Sequence, residues 1–71
     1  MAIYENELPF RVEEWTADGE KYFMCFATCR RFDLAMLVYE AIEAEPSPAP
    51  RVIMIRNGAR VVKRSDRPRD H

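Results

Sequence analysis

Between Lys21 and Cys29 the sequence KYFMCFATC is apolar on both faces of an extended chain, with Tyr22, Met24 and Phe26 on one side and Phe23, Cys25 and Ala27 on the other. A half-buried strand alternates polar and apolar residues, and this chain offers one helix to cover a sheet. The second face of the strand is therefore expected to meet another subunit, a ligand or an unusually apolar boundary with solvent. Between Phe32 and Ala44 the period becomes helical: Leu34, Ala35, Val38, Ala41 and Ile42 recur at three- and four-residue spacing, with Asp33, Glu40 and Glu43 toward the other side. Asp33 suits the N-cap or first turn, at the positive end of the helix dipole. Pro46 stops the helix near Ala44. Glu43 and Glu45 then lie at its negative end, where Arg51 or the C-terminal hairpin is the basic neighbour that would relieve them.

Leu8 to Thr16 reads as the first strand, with Pro9 tolerable only near its beginning or on a sheet edge. The Ala17-Asp18-Gly19 turn has two readings that flip the faces. A two-residue turn pairs Trp15 with Tyr22, whereas a three-residue loop with Gly19 left-handed pairs Thr16 with Glu20. The second is preferred because it gathers Phe10, Val12, Tyr22, Met24 and Phe26 under the helix. The connector Pro46-Ser47-Pro48-Ala49-Pro50 is semi-rigid and returns the chain to the sheet. Beyond it, Asn57-Gly58 between two β-branched runs is a strong hairpin signal. A two-residue turn there sets Ile55 opposite Arg60, Ile53 opposite Val62 and Arg51 opposite Arg64. Ile53, Ile55 and Val62 go to the core on this reading. Val52, Met54 and Val61 share the second sheet face with Trp15, Phe23 and Cys25.

The expected fold is α+β, in the order ββαββ: a four-stranded, mainly antiparallel sheet with one helix packed on one face. Residues 8–64 form the single domain, 1–7 an acidic arm and 65–71 a disordered charged tail. The strand order 2-1-3-4 keeps every neighbour antiparallel, but the two-faced second strand favours a central place for it, as in 1-2-4-3.

A chain of 71 residues is near the size at which one core supplies only ~3 to 5 kcal/mol, so further stabilisation is expected. Cys25 and Cys29, four residues apart in one strand, are too distant to bridge. A structural zinc site wants four Cys or His ligands, and the remaining candidate is His71. Two reduced thiols and no cofactor are expected, which leaves association. The start, MAIYENELPF, lacks a basic region followed by an apolar run, and no stretch approaches the ~20 apolar residues of a membrane helix. A cytoplasmic protein with no membrane contact is the expectation.

The net charge of −1 hides an uneven distribution. Residues 1–50 carry ten acids against four bases, a balance of −6, and residues 51–71 carry seven bases against two acids, a balance of +5. The two lobes neutralise each other in the fold or between subunits, or the basic one meets an acidic partner.

Catalysis needs a group titrating near neutrality or an activated nucleophile held by a partner. The single histidine ends the chain, no base stands beside Ser47, Ser65, Thr16 or Thr28, and both glycines are explained by turns. No enzyme activity and no small-molecule substrate are expected. The favoured reading is a non-catalytic interaction module, a homodimer or the partner of another protein. Its contact is expected on the helix-free sheet face at Trp15, Phe23, Val52, Met54 and Val61, rimmed by Arg11, Glu13, Arg56 and Lys63. The alternative is nucleic-acid binding, with sheet-face aromatics for stacking and Arg56, Lys63 and Arg64 for phosphate contacts. Because unrelated small families share hairpin–helix–hairpin order, the architecture alone implies no function.

Overall fold

In the computed structural model, residues 9–47 and 49–66 are described. The acidic arm expected at 1–7 lies outside them, as does the tail expected at 65–71 except for Ser65 and Asp66, which bond to Ile53 and Arg64. The elements are β1 (Phe10–Trp15), β2 (Tyr22–Cys29), α1 (Phe32–Ala44), β3 (Val52–Asn57) and β4 (Arg60–Arg64). All neighbours in the sheet are antiparallel, in the order β2-β1-β3-β4. The fold is the α+β arrangement read from the sequence, but β2 is an edge and not the central strand its two apolar faces suggested. The centre belongs to β1 and β3. Pro9 lies just before β1, so its missing N–H interrupts no ladder on either side of that strand.

The first hairpin combines features of both turn readings. Trp15 pairs with Tyr22, as a two-residue turn requires, while Gly19 is left-handed at φ +73, as the longer loop requires. The Gly19 amide donates to Thr16 O at 2.7 Å and the Thr16 amide to Lys21 O at 2.9 Å. Asp18 Oδ1 accepts from Thr16 Oγ1 at 2.6 Å and from the Glu20 amide at 2.9 Å. Two β-bulges then change the phase of β2. Phe23 and Phe26 are the extra residues, so Met24 lies opposite Glu14, Cys25 opposite Glu13, Ala27 opposite Val12 and Cys29 opposite Phe10. Met24 therefore reaches the helix side, as expected, and Phe26 packs against the core. Tyr22, opposite Trp15, does not.

The second hairpin turns one residue later than expected. Asn57 pairs with Arg60, which leaves Gly58 and Ala59 as the loop. Gly58 has φ +64, the pattern of a type II′ turn with glycine first. Arg56 then faces Val61, and a bulge at Val62 brings Ile55 opposite Lys63 and Met54 opposite Arg64. Val62, expected in the core, is exposed for that reason. Ser65 extends the hairpin: its amide donates to Ile53 O at 2.9 Å, and its Oγ accepts from the Ile53 amide at 2.9 Å.

The helix bounds match the periodicity, but its phase is rotated. Ala35 and Tyr39 are buried, with Met36, Val38 and Ile42 packed beside them against Val12, Cys29, Ile53 and Ile55. Leu34 and Ala41, expected in the stripe, are exposed. The N-cap is Arg31 without a side-chain cap, and Asp33 serves as the first-turn acid, pairing with Arg31 at 3.0 Å. At the other end no basic residue occupies the last turn. Arg51 supplies the cation from outside, donating through Nη2 to Ile42 O at 2.8 Å and Glu45 O at 3.3 Å. Those carbonyls carry the negative end of the dipole, so the sequence expectation for Arg51 holds.

Candidate functional site

The helix-free face of the sheet is built by alternation. On β1 it receives Arg11, Glu13 and Trp15; their antiparallel partners on β3 are Arg56, Met54 and Val52. Arg64 and Val61 of β4 stand opposite Met54 and Arg56. At its centre is a carboxylate. Glu13 is 0% exposed and accepts four hydrogen bonds: from Arg56 Nε at 2.7 Å and Nη2 at 3.2 Å, from Arg11 Nε at 2.7 Å, and from Trp15 Nε1 at 2.9 Å. Four donors saturate the two carboxylate oxygens. Burial pushes the Glu13 carboxyl up, and the bonds from Arg56, Arg11 and Trp15 outweigh it, holding its pKa below the usual value. The hydrogen bond to Glu13 likewise raises the Arg11 pKa.

The same network fixes the aromatic side chains. The Arg56 guanidinium lies over the Trp15 ring at 5.3 Å, and Trp15 meets Tyr22 edge to face with centroids 5.9 Å apart. Above them the β1–β2 turn reaches toward β4, where the Arg64 guanidinium occupies the place a Cβ on Gly19 would need. Because β3 separates β1 from β4 in the sheet, this contact bridges over β3. Val52, opposite Trp15, and Met54, between Glu13 and Arg64, are buried on a face without a helix.

The expected interface residues are thus dispersed. Trp15, Val52, Met54 and Val61 do share the helix-free face, but Val52 and Met54 are buried within the chain and Trp15 is half-buried. Val61 is exposed, and Phe23, at a bulge of the edge strand, is 65% exposed. The three expected phosphate contacts do not form one cluster. Arg56 is bound to Glu13 and Arg64 to Asp66 at 2.7 Å. Lys63, paired with Ile55, lies on the helix face with Nζ 5.3 Å over the Tyr39 ring. Cys25 is a half-buried free thiol and Cys29 a buried one.

Two features escaped the sequence reading. Glu13 looked like a rim charge, although the Arg11-x-Glu13-x-Trp15 spacing already placed all three on one face. The second is the distribution of exposed apolar side chains. Among the described residues eight large hydrophobics are exposed, and six of them (Tyr22, Phe23, Met24, Phe32, Leu34 and Leu37) belong to β2 or α1. No helix among the described residues is long and apolar enough to cross a membrane. The chain matches no protein-family model, and neither a curated protein nor a solved structure matches it.

Proposed function

We propose that this chain is a small non-catalytic interaction module that associates with a second copy of itself. The observation carrying the reading is the concentration of exposed hydrophobic side chains in β2 and α1, beside a compact core of few residues. A monomer of this size leaves much of its apolar surface in water, and a large contiguous apolar patch is the mark of a protein contact. A two-fold contact allows one patch to cover itself.

At the centre of the helix-free face Val52 and Met54 are buried and the charges around Glu13 are satisfied, so the apolar contact lies elsewhere on this reading. Nucleic-acid binding, the alternative, draws less support, since two of its three cations are held by carboxylates and the third is on the opposite face. Sedimentation equilibrium of the full chain at micromolar concentration tests the proposal: a species of twice the monomer mass is expected, and a strict monomer would reject it. Anisotropy of labelled oligonucleotides at low salt tests the alternative, which requires binding that weakens steeply as salt rises.

A further inference from the structure

The two edges of this sheet are unlike. β4 is five residues long, RVVKR, with charged side chains at three of them. β2 is eight residues long, YFMCFATC, with neither charge nor proline. Charges, prolines, short strands and bulges are the devices that keep sheet edges from pairing with other chains. β4 has the charge, the shortness and a bulge; β2 has only its two bulges, which add twist. As an outermost strand, β2 turns one row of backbone N–H and C=O groups away from β1.

The side chains along this edge are apolar and open: Tyr22, Phe23 and Met24 are all exposed, Phe23 at 65%. The helix packs over β1, β2 and β3 with the buried Tyr39 facing the sheet, so Leu34, Leu37 and Ala41, rotated about 140 to 160° from Tyr39, face away from the sheet and leave the edge of β2 uncovered.

We propose that β2 pairs antiparallel with β2 of a second copy across a two-fold axis at Cys25, giving one continuous eight-stranded sheet. The proposal rests on the self-association reading and specifies its surface. Charge selects a copy of this chain, and selects it antiparallel. The turn before β2 carries Asp18, Glu20 and Lys21, a net negative charge; the segment after it carries Arg30, Arg31 and Asp33, a net positive charge. Antiparallel pairing sets the acidic end of each copy beside the basic end of the other, twice, whereas parallel pairing would set like beside like. Arg30 makes no ion pair with another described residue.

The register follows from the same charges. An axis between Cys25 and Phe26 would oppose Lys21 to Arg30 of the partner subunit, and an axis at Phe26 would oppose it to Arg31 of the partner subunit. An axis at Cys25 opposes Lys21 to Cys29 of the partner subunit. It also sets Met24 against Phe26, Phe23 against Ala27 and Tyr22 against Thr28 of the partner subunit, with no charge directly opposed to a like one.

The test uses the full chain in sedimentation and in cross-linking. Phe23→Glu and Met24→Glu, both at exposed positions of β2, are expected to convert the dimer to monomer with unchanged circular dichroism; Val61→Glu, on the helix-free face, is expected to leave it dimeric. Directly opposed residues in an antiparallel pair have Cα atoms about 4.5 to 5.5 Å apart, within disulfide range. Diamide, which takes up the two thiol hydrogens as the S–S bond forms, is therefore expected to link the subunits through Cys25. Cys25→Ser should abolish the linked band and Cys29→Ser should retain it. A dimer that survives both Phe23→Glu and Met24→Glu but is lost in Val61→Glu would overturn this surface while leaving self-association standing. A wild-type monomer at every concentration would overturn both. Loss of the dimer in the two edge variants without a Cys25 cross-link would overturn the Cys25 register.

Discussion

Strands β2 and β3 are both apolar on both faces, YFMCFATC and VIMIRN, yet Val52, Ile53, Met54 and Ile55 are all buried while Tyr22, Phe23 and Met24 are all exposed. The difference is position in the sheet. β3 has a strand on each side, the helix on one face, and on the other Trp15, Arg56 and the turn that reaches Arg64. β2 has one neighbour, and its bulges tilt Phe23 out of the ladder. Apolarity on both faces states that both faces want cover; it does not state whether the cover comes from the same chain. In β3 it does. In β2 it is proposed to come from a second copy, so the two strands should respond differently to substitution.

The largest effect is expected at Ile55, fully buried between Val12 and Lys63 in the ladder. Ile55→Ala removes three methyl-sized groups and leaves a cavity, a loss of about 2 to 5 kcal/mol that rivals the whole stability of a domain this small. Urea unfolding followed by circular dichroism should show the transition shifted to low denaturant or lost. An unchanged midpoint would break the contrast, because β3 would then be no more demanding than β2.

Next is Glu13→Gln, which leaves two guanidiniums without their carboxylate. Removing one member of a wholly buried pair costs about 3 to 5 kcal/mol, but the Arg11 and Arg56 side chains retain 37% and 26% exposure, so about 2 kcal/mol is expected at neutral pH. The same residue carries a pH dependence. The Glu13 pKa is lower in the folded chain than in the unfolded one, where it is about 4.3. Its stabilisation is therefore complete above the unfolded value and is lost as pH falls through the folded one. Stability measured from neutral pH into acid should fall less steeply in Glu13→Gln than in the wild type; parallel curves would remove Glu13 from the account of the covered face.

Arg51→Ala deletes the cation at the helix C-terminus and is expected to cost about 1 to 2 kcal/mol, as loss of a charged hydrogen bond does. The comparison is sharpened most by the smallest effect. Phe23→Glu should move the unfolding free energy of the monomer by no more than about 0.5 kcal/mol, the range of surface substitutions, measured at concentrations below those of association. A loss comparable to that of Ile55→Ala would mean that Phe23 belongs to the core of its own chain.

Much of this fold could be read locally. The helix from Phe32 to Ala44, the hairpins around Gly19 and Gly58 and the need for Arg51 at the helix end all follow from neighbours within a few residues. Two features were not legible. Each β-bulge inserts a residue that flips every side chain beyond it, and no nearby composition marks Phe23, Phe26 or Val62 as the insertion. The helix phase was the other: an apolar arc covering more than half the helix has no unique centre in sequence, so periodicity favours Leu34 and Ala41 where the structure buries Ala35 and Tyr39.

What the sequence by itself determined is the set of elements, their order, and the excess of apolar strand surface over what one helix can cover, since periodicity, turn residues and capping act over a few positions. The tertiary structure alone decided which strand is central, which face each side chain takes beyond a bulge, and the enclosure of Glu13 by Arg11, Trp15 and Arg56. Those depend on contacts between residues as far apart as Glu13 and Arg56. No local preference encodes such a contact; it forms because a buried carboxylate is tolerable only where donors from both strands converge on it.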